Sequence, residues 1–217
     1  MPYPMTHLYI ANKILDESLC SIKNESQYYL GNLVPDAVEF REKYDKKISH
    51  LCNDEAKWGF ITNYEKWAKN VLKYYKQNVK VNDYDFLTGY CIHILADINY
   101  SNIIWTPFRL ENEDKADFND ISKRSHDECN RVDLELYHKC SFRDEIWIKT
   151  KESICMDFMD IVNKEDMEKM KNNVLNIQYK NKPEANSGNN RIITYNGLIE
   201  YVDNTIEYIK EKFIKEI

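Results

Sequence analysis

The stretch DYDFLTGYCIHILADINYSNII, residues 83–104, decides the fold. Read at ~100° per residue, Leu87, Cys91, Ile94 and Ile98 make one apolar stripe. Phe86, Tyr90, His93 and Asp97 fall beside it, within about 60° of one another. That periodicity is helical, with Asp83 as a candidate N-cap. Gly89 stands one turn before His93 and removes a side chain where another backbone or a ligand needs space. His93 and Asp97, at i and i+4, point both heads at one spot. The pair suits a single cation, and it equally suits a satisfied, partly buried ion pair.

Working outward, the same periodicity predicts a helix over 5–20, with Leu8, Ala11, Ile14, Leu15 and Leu19 on one face. A short apolar helix over 28–33 is ended by Pro35. Residues 54–77 read as a helix with Trp58, Ile61, Tyr64, Trp67 and Val71 inward. Further helices are expected over 117–138, over about 142–160 behind a capping box of Ser141 with Asp144, and after Asn163. The last starts near Thr194 and carries the stripe Leu198, Val202, Ile206, Ile209 and Phe213. Residues 39–53 and 181–190 read as loops. Five glycines and five prolines in 217 residues favour long helices over a strand-rich fold with many tight turns. With no repeat and no long linker, residues 1–217 are expected to form one all-α, multi-helix domain with a metal cluster between its helices.

Hydrophobic residues make up 43% of the chain, enough for a sizeable core. The 36 acidic and 30 basic residues are mixed along it, giving a net charge of −6. Nucleic acid is therefore not indicated as a partner held by electrostatics alone. An enzyme acting on a phosphate ester tolerates this charge when bound metals supply the local positive potential. The start of the chain lacks the pattern of an export signal, and no window reaches the ~18 apolar residues of a transmembrane segment. Six cysteines without a CxxC pair read as reduced thiols, so a cytoplasmic location is expected. The 16 tyrosines fall mostly at core or boundary spacing and read as packing.

Three of the five histidines stand beside apolar residues, in Thr6-His7-Leu8, Ser49-His50-Leu51 and Ile92-His93-Ile94. A histidine flanked this way is expected to be partly buried, and a buried imidazole needs a carboxylate or a metal. Asp36 directly follows Leu33-Val34-Pro35, an unusual place for a merely solvated acid. His126, Asn130, Asp133 and Tyr137 share one face of a later helix, either a further polar site or, more simply, a solvated face with a surface histidine. His138, at a helix end, reads as a partner of the helix dipole. Cys129 and Cys140 have histidines nearby but no third orienting group, which argues against a thiol nucleophile. No GxSxG, Walker A or dinucleotide fingerprint occurs.

Taken in order, Thr6-His7-Leu8, Leu30-Gly31-Asn32-Leu33-Val34-Pro35-Asp36, Ser49-His50 and Gly89-Tyr90-Cys91-Ile92-His93-Ile94-Leu95-Ala96-Asp97 resemble the bacterial zinc-dependent phospholipase C family. The fungal zinc nucleases that cut single strands share its fold. The resemblance covers residues 1 to about 140 and implies an all-α fold around a cluster of up to three zinc ions. By it, Asp36, His50, His93 and Asp97 hold one zinc, and Asp97 bridges to a second that His7 also binds. Asp36 doubles as the catalytic base or as the orienter of the attacking water. Two zinc ions, or another divalent metal, are thus implied, lowering the pKa of bound water to about 7 and clamping phosphoryl oxygens.

The departures from the family pattern fall in two places. In the secreted phospholipases the mature N-terminal amine and carbonyl bind the second metal, whereas here His7 lies six residues from Met1, whose removal would expose Pro2. The family's third zinc takes a histidine shortly after the bridging aspartate and then a His-x-x-x-Glu pair. Here residues 98–103 contain no histidine, and His126 is followed by Asn130, so a further set of His126, Asn130 and Asp133 is incomplete.

The function expected is a metal-dependent hydrolase, a zinc phosphodiesterase of phospholipase C type using metal-activated water on a small phosphoester or a phospholipid. A nuclease or nucleotidase on the same cluster is one alternative. The HD-type phosphohydrolases would also fit His50 and His93-x-x-x-Asp97, but their adjacent His-Asp pair occurs here only as His126-Asp127. The non-enzymatic alternative is a helical binding module stapled by one metal. No interfacial amphipathic helix marks membrane lipid as the target.

Overall fold

The 83–104 stretch forms the central helix of the fold. In the computed structural model, which describes residues 2–80 and 83–217, helix α5 (Tyr84–Tyr100) begins where the Asp83 side chain accepts the Phe86 N–H at 3.0 Å. Every residue of it from Asp85 onward is buried, so it is wrapped on all sides rather than on one. Around it stand α1 (Pro4–Asp16), α2 (Glu25–Gly31), α4 (Tyr64–Asn78) and α10 (Tyr195–Lys212). A short α3 (Lys46–Ser49), α6 (Thr106–Asn112), α7 (Phe118–Lys139), α8 (Arg143–Glu152) and α9 (Lys164–Asn173) complete the bundle. The fold is all-α: among the described residues the only β-type pairing is an isolated bridge between Phe158 and Val162.

Two glycines let α2 and α5 cross with backbones in contact. A Cβ at Gly31 would overlap the Phe86 carbonyl oxygen, and one at Gly89 would overlap that of Tyr28. Gly89 thus clears space for another backbone, not for a ligand. The close approach sets Asn32 against the turn of α5 that carries His93.

The caps expected at Asp83, Asn163 and Thr194 are present, and Asp117 caps α7 by accepting from Asn119 and Asp120. Other boundaries differ. The helix expected over 54–77 starts at Tyr64, because Gly59 takes a left-handed φ of 87° and the Asn63 side chain caps the chain by accepting from Lys66. No capping box forms at Ser141: α8 begins after Phe142 without a side-chain cap and ends at Glu152 rather than near 160. Pro35 does not leave an open loop behind it, since it sits in the first turn of a 3₁₀ helix, Val34–Phe40. The loop expected over 39–53 contains α3. At its far end α5 runs through a π-helical turn, Ser101–Trp105, into α6.

Candidate metal centre

Five side chains from four segments converge at the middle of α5. His93 and Asp97 lie one turn apart on that helix and are 1% and 0% exposed. His7 comes from the second turn of α1, Asp36 from the 3₁₀ helix and His50 from the residue ending α3. His50 Nε2 is 3.1 Å from Asp97 Oδ2 and 3.4 Å from Asp36 Oδ1. His7 Nε2 is 3.4 Å from Asp97 Oδ1. His93 Nε2 is 3.9 Å from both Asp36 Oδ2 and Asp97 Oδ2. Two overlapping sets, His7 with Asp36 and His93, and His50 with His93 and Asp97, each bring their ligand atoms within 4.8 Å of one another.

The second nitrogens orient two of the rings. His93 Nδ1 lies 2.8 Å from the Asn32 carbonyl oxygen, and His50 Nδ1 lies 3.0 Å from that of Lys46. A carbonyl only accepts, so Nδ1 carries a proton in each ring, which leaves Nε2 as the nitrogen able to offer a lone pair to a cation. Trp67 Nε1 donates to the His50 carbonyl at 2.6 Å, and Tyr90 donates its hydroxyl to the Ser49 carbonyl, pinning the loop that carries His50 to α4 and α5.

Helix α1 is anchored from far along the chain. Its N-cap, Tyr3, offers no side-chain cap. Instead Thr6 donates both its backbone N–H and its hydroxyl to Asp133 Oδ1 at 2.7 Å. Tyr179 donates its hydroxyl to Asp133 Oδ2 at 2.5 Å and accepts the Met5 N–H at 2.9 Å. These bonds satisfy N–H groups that every helix start leaves free, and they set His7 toward Asp97.

Six polar atoms of these side chains have no hydrogen-bond partner: both nitrogens of His7, Nε2 of His50 and of His93, and both oxygens of Asp97. Buried groups left this way are costly, and so many pointing at one place fit a cation. Imidazole nitrogen and carboxylate oxygen are the donors zinc accepts. Burial presses both carboxyls toward the neutral form, yet Lys46, His50 and His93 hold Asp36 well below its usual range. His50 and His7 do the same for Asp97. Two ionised carboxylates in a buried site require positive charge beside them.

The model of the zinc-dependent phospholipase C family matches residues 6–181, a span containing all five side chains. The chain belongs to the zinc-dependent phospholipase C family. No curated protein and no solved structure matches it. Membership implies a metal-dependent hydrolase, and the buried His and Asp groups are able to hold the metal its family name requires.

In this phospholipase C family member the further set on α7 does not converge. Asp133 is turned to Thr6 and Tyr179, whose three hydrogen bonds fill most of its roughly four acceptor positions. His126 and Asn130 line a cavity of about 270 Å³ with Asp36 and Lys46, apart from Asp133. The expectation concerning Met1 lies outside the described residues. His138, expected to act on the helix dipole, meets the Lys182 carbonyl at 3.0 Å.

Lys46 was not legible in the sequence as a site residue. Its Nζ donates to Asp36 Oδ1 at 2.9 Å and pairs with Glu39 Oε1 at 2.5 Å. Burial works against its charge, but Asp36 and Glu39 outweigh that and raise its pKa. It stands in the polar run Lys43-Tyr44-Asp45-Lys46-Lys47, where composition does not distinguish it from a surface lysine. A second cavity, of about 480 Å³, opens on the other side of Lys46 between Trp58, Trp105, Phe118 and His126.

Proposed function

We propose that this chain is a zinc phosphodiesterase of phospholipase C type, working as one helical domain over residues 1–217. The observation that carries this reading is the set of partnerless imidazole and carboxylate atoms aimed at one buried point beside two cavities. His7, Asp36, His50, His93 and Asp97 are the proposed ligands of two metal ions, with Asp97 reaching both. Zinc supplies, when bound, a water acidic enough to attack at neutral pH and a Lewis acid for the phosphoryl oxygens.

The protein side chains do the rest. His50 and His93, each fixed through Nδ1, present lone pairs without rearrangement. Asp36 has one oxygen held by the Lys46 ammonium, which makes it a weak proton acceptor. That favours orienting the attacking water over acting as its base. Trp58 lies edge-on to His50 with centroids 5.0 Å apart and keeps bulk water from that ring. A small phosphoester or a phospholipid head group is the proposed substrate. Among the described residues no helix is long and apolar enough to cross a membrane. All six cysteines are unpaired, which supports a reducing, cytoplasmic setting.

The test is elemental analysis of protein purified without chelator, followed by assays on a chromogenic phosphodiester, phosphatidylcholine vesicles and a single-stranded oligonucleotide. Two zinc ions per chain and turnover that a chelator abolishes and zinc restores are expected. Cleavage of the oligonucleotide alone would mark a nuclease. One tightly held ion with no turnover on any substrate would replace this reading with a metal-stapled binding module.

A further inference from the structure

Lys46 stands where the buried cluster gives way to open space. The Asp36 oxygen that receives its ammonium is the one 3.4 Å from His50 Nε2, so the cation is one carboxylate removed from the ligand atoms. Its side chain is only 10% exposed, yet it borders both cavities. The Trp58 ring flanks it at 6.0 Å.

Its two counter-ions differ in freedom. Asp36 is enclosed among the histidines and has nowhere to go. Glu39 is 47% exposed and lies near the end of the 3₁₀ helix, so its carboxylate can turn out to water with little desolvation cost. An ammonium has three donors in rotatable array. A nearly buried cation with one fixed and one displaceable anion, facing a cavity, is arranged to exchange the second for an incoming oxyanion.

Building on the phosphodiesterase reading above, we propose that Lys46 is a phosphoryl-oxygen-binding residue and that Glu39 is the internal anion its ligand displaces. A phosphodiester oxyanion entering from the cavity would take the Glu39 place on the ammonium, beside the cluster that attacks it. No bond is made or broken in this exchange. Glu39 therefore opposes anion binding, while Lys46 favours it, which is a pattern that a purely structural ion triad does not produce.

The experiment uses the full zinc-loaded chain and inorganic phosphate as probe. Phosphate affinity is measured by calorimetry and by inhibition of a chromogenic phosphodiester assay, with zinc content determined on the same samples. Lys46→Met should keep its zinc and lose about tenfold or more in phosphate affinity, the scale of one charge-assisted hydrogen bond, with a matching rise in KM. Lys46→Arg should recover most of the loss. Glu39→Gln, which leaves the Lys46–Asp36 pair in place, should tighten phosphate by roughly threefold or more. Lys46→Met with full zinc and wild-type phosphate affinity would overturn the proposal, as would Glu39→Gln weakening phosphate. If Lys46→Met sheds zinc or fails to fold, the direction of the Glu39→Gln change decides. A wild-type chain that binds phosphate through Lys46 but cleaves no phosphodiester would sink the catalytic reading and leave this site standing. One that cleaves phosphodiesters with Lys46-independent phosphate affinity would do the reverse.

Discussion

The imidazole rings of His7 and His93 lie stacked, with centroids 3.7 Å apart and planes 12° from parallel. One ring belongs to α1 and the other to the central helix α5. Burial first, and then the nearness of His7, press the His93 pKa down to about 3. The shift favours the neutral ring, the state a metal requires of it. The Asp97 carboxylate meets different histidines with its two oxygens: Oδ1 faces His7, and Oδ2 faces His50 and, farther off, His93.

Asp97→Ala should accordingly remove more than one contact. Both proposed metal positions lose a ligand, and two dications would face each other with less negative charge between them. The expected outcome is loss of bound zinc and a fall in phosphodiester turnover of roughly a thousandfold or more. His126→Ala should cost little by the same assay, since its face of α7 does not converge. Full zinc with near wild-type turnover in Asp97→Ala would rule out the shared-carboxylate arrangement.

Gly89→Ala sets two effects of opposite sign against each other. Helix propensity alone favours alanine by about 1 kcal/mol. The added Cβ, however, would overlap the Tyr28 carbonyl oxygen, which is backbone and cannot swing aside. We expect a net destabilisation of about 3 kcal/mol or more, read from urea unfolding, because α2 and α5 must separate. A variant as stable as the wild type would show that the helices are not held at this crossing.

Asp133→Ala should strip the anchor from α1. The Thr6 N–H and the Tyr179 hydroxyl would be left buried without an acceptor, at a cost of about 2–4 kcal/mol. His7 is the next residue along the helix, so zinc content should fall as well. Tyr179→Phe should do the same more mildly. Unchanged zinc in a destabilised Asp133→Ala would mean that His7 is positioned by packing alone.

His126 gives a pH-dependent prediction. Burial, reinforced by the positive charge of Lys46, lowers its pKa from 6.5 to about 4 in the folded chain. Between those values the unfolded chain binds a proton that the folded one refuses, so stability falls as pH drops from 6.5 toward 4. In chelator, where metal loss plays no part, His126→Gln should flatten that slope. Denaturant midpoints measured at several pH values in both proteins provide the check, and parallel curves would refute the assignment.

What the sequence disclosed and what it hid divide along contact range. The cap residues Asp83, Asn163 and Thr194 each act on the N–H group three positions away, so their chemistry is local and readable. The pairing of His93 with Asp97 was likewise a matter of one helical turn. Gly59 was a local signal of the same kind, but the strong inward pattern of Trp58 and Ile61 masked it, and those residues do reach the core from a loop. Asp133 looked like part of a polar helix face because its partners, Thr6 and Tyr179, are 127 and 46 positions away. Lys46 was hidden for the same reason: its meaning comes from where Asp36 and the cavity walls end up.

The anchoring of α1 also bears on the order in which the protein comes into being. A ribosome delivers His7 long before Asp133 and Tyr179, the residues that hold its helix in place, which lie 126 and 172 positions further on. During synthesis, which proceeds at about 5–20 residues per second, the segments bearing Asp36, His50, His93 and Asp97 can associate while α1 is still unmoored. On the two-metal reading proposed above, a partly translated chain would hold one set of ligands before His7 is seated, and the synthesis of Asp133 and Tyr179, not the early appearance of His7, would set the moment at which the centre is completed.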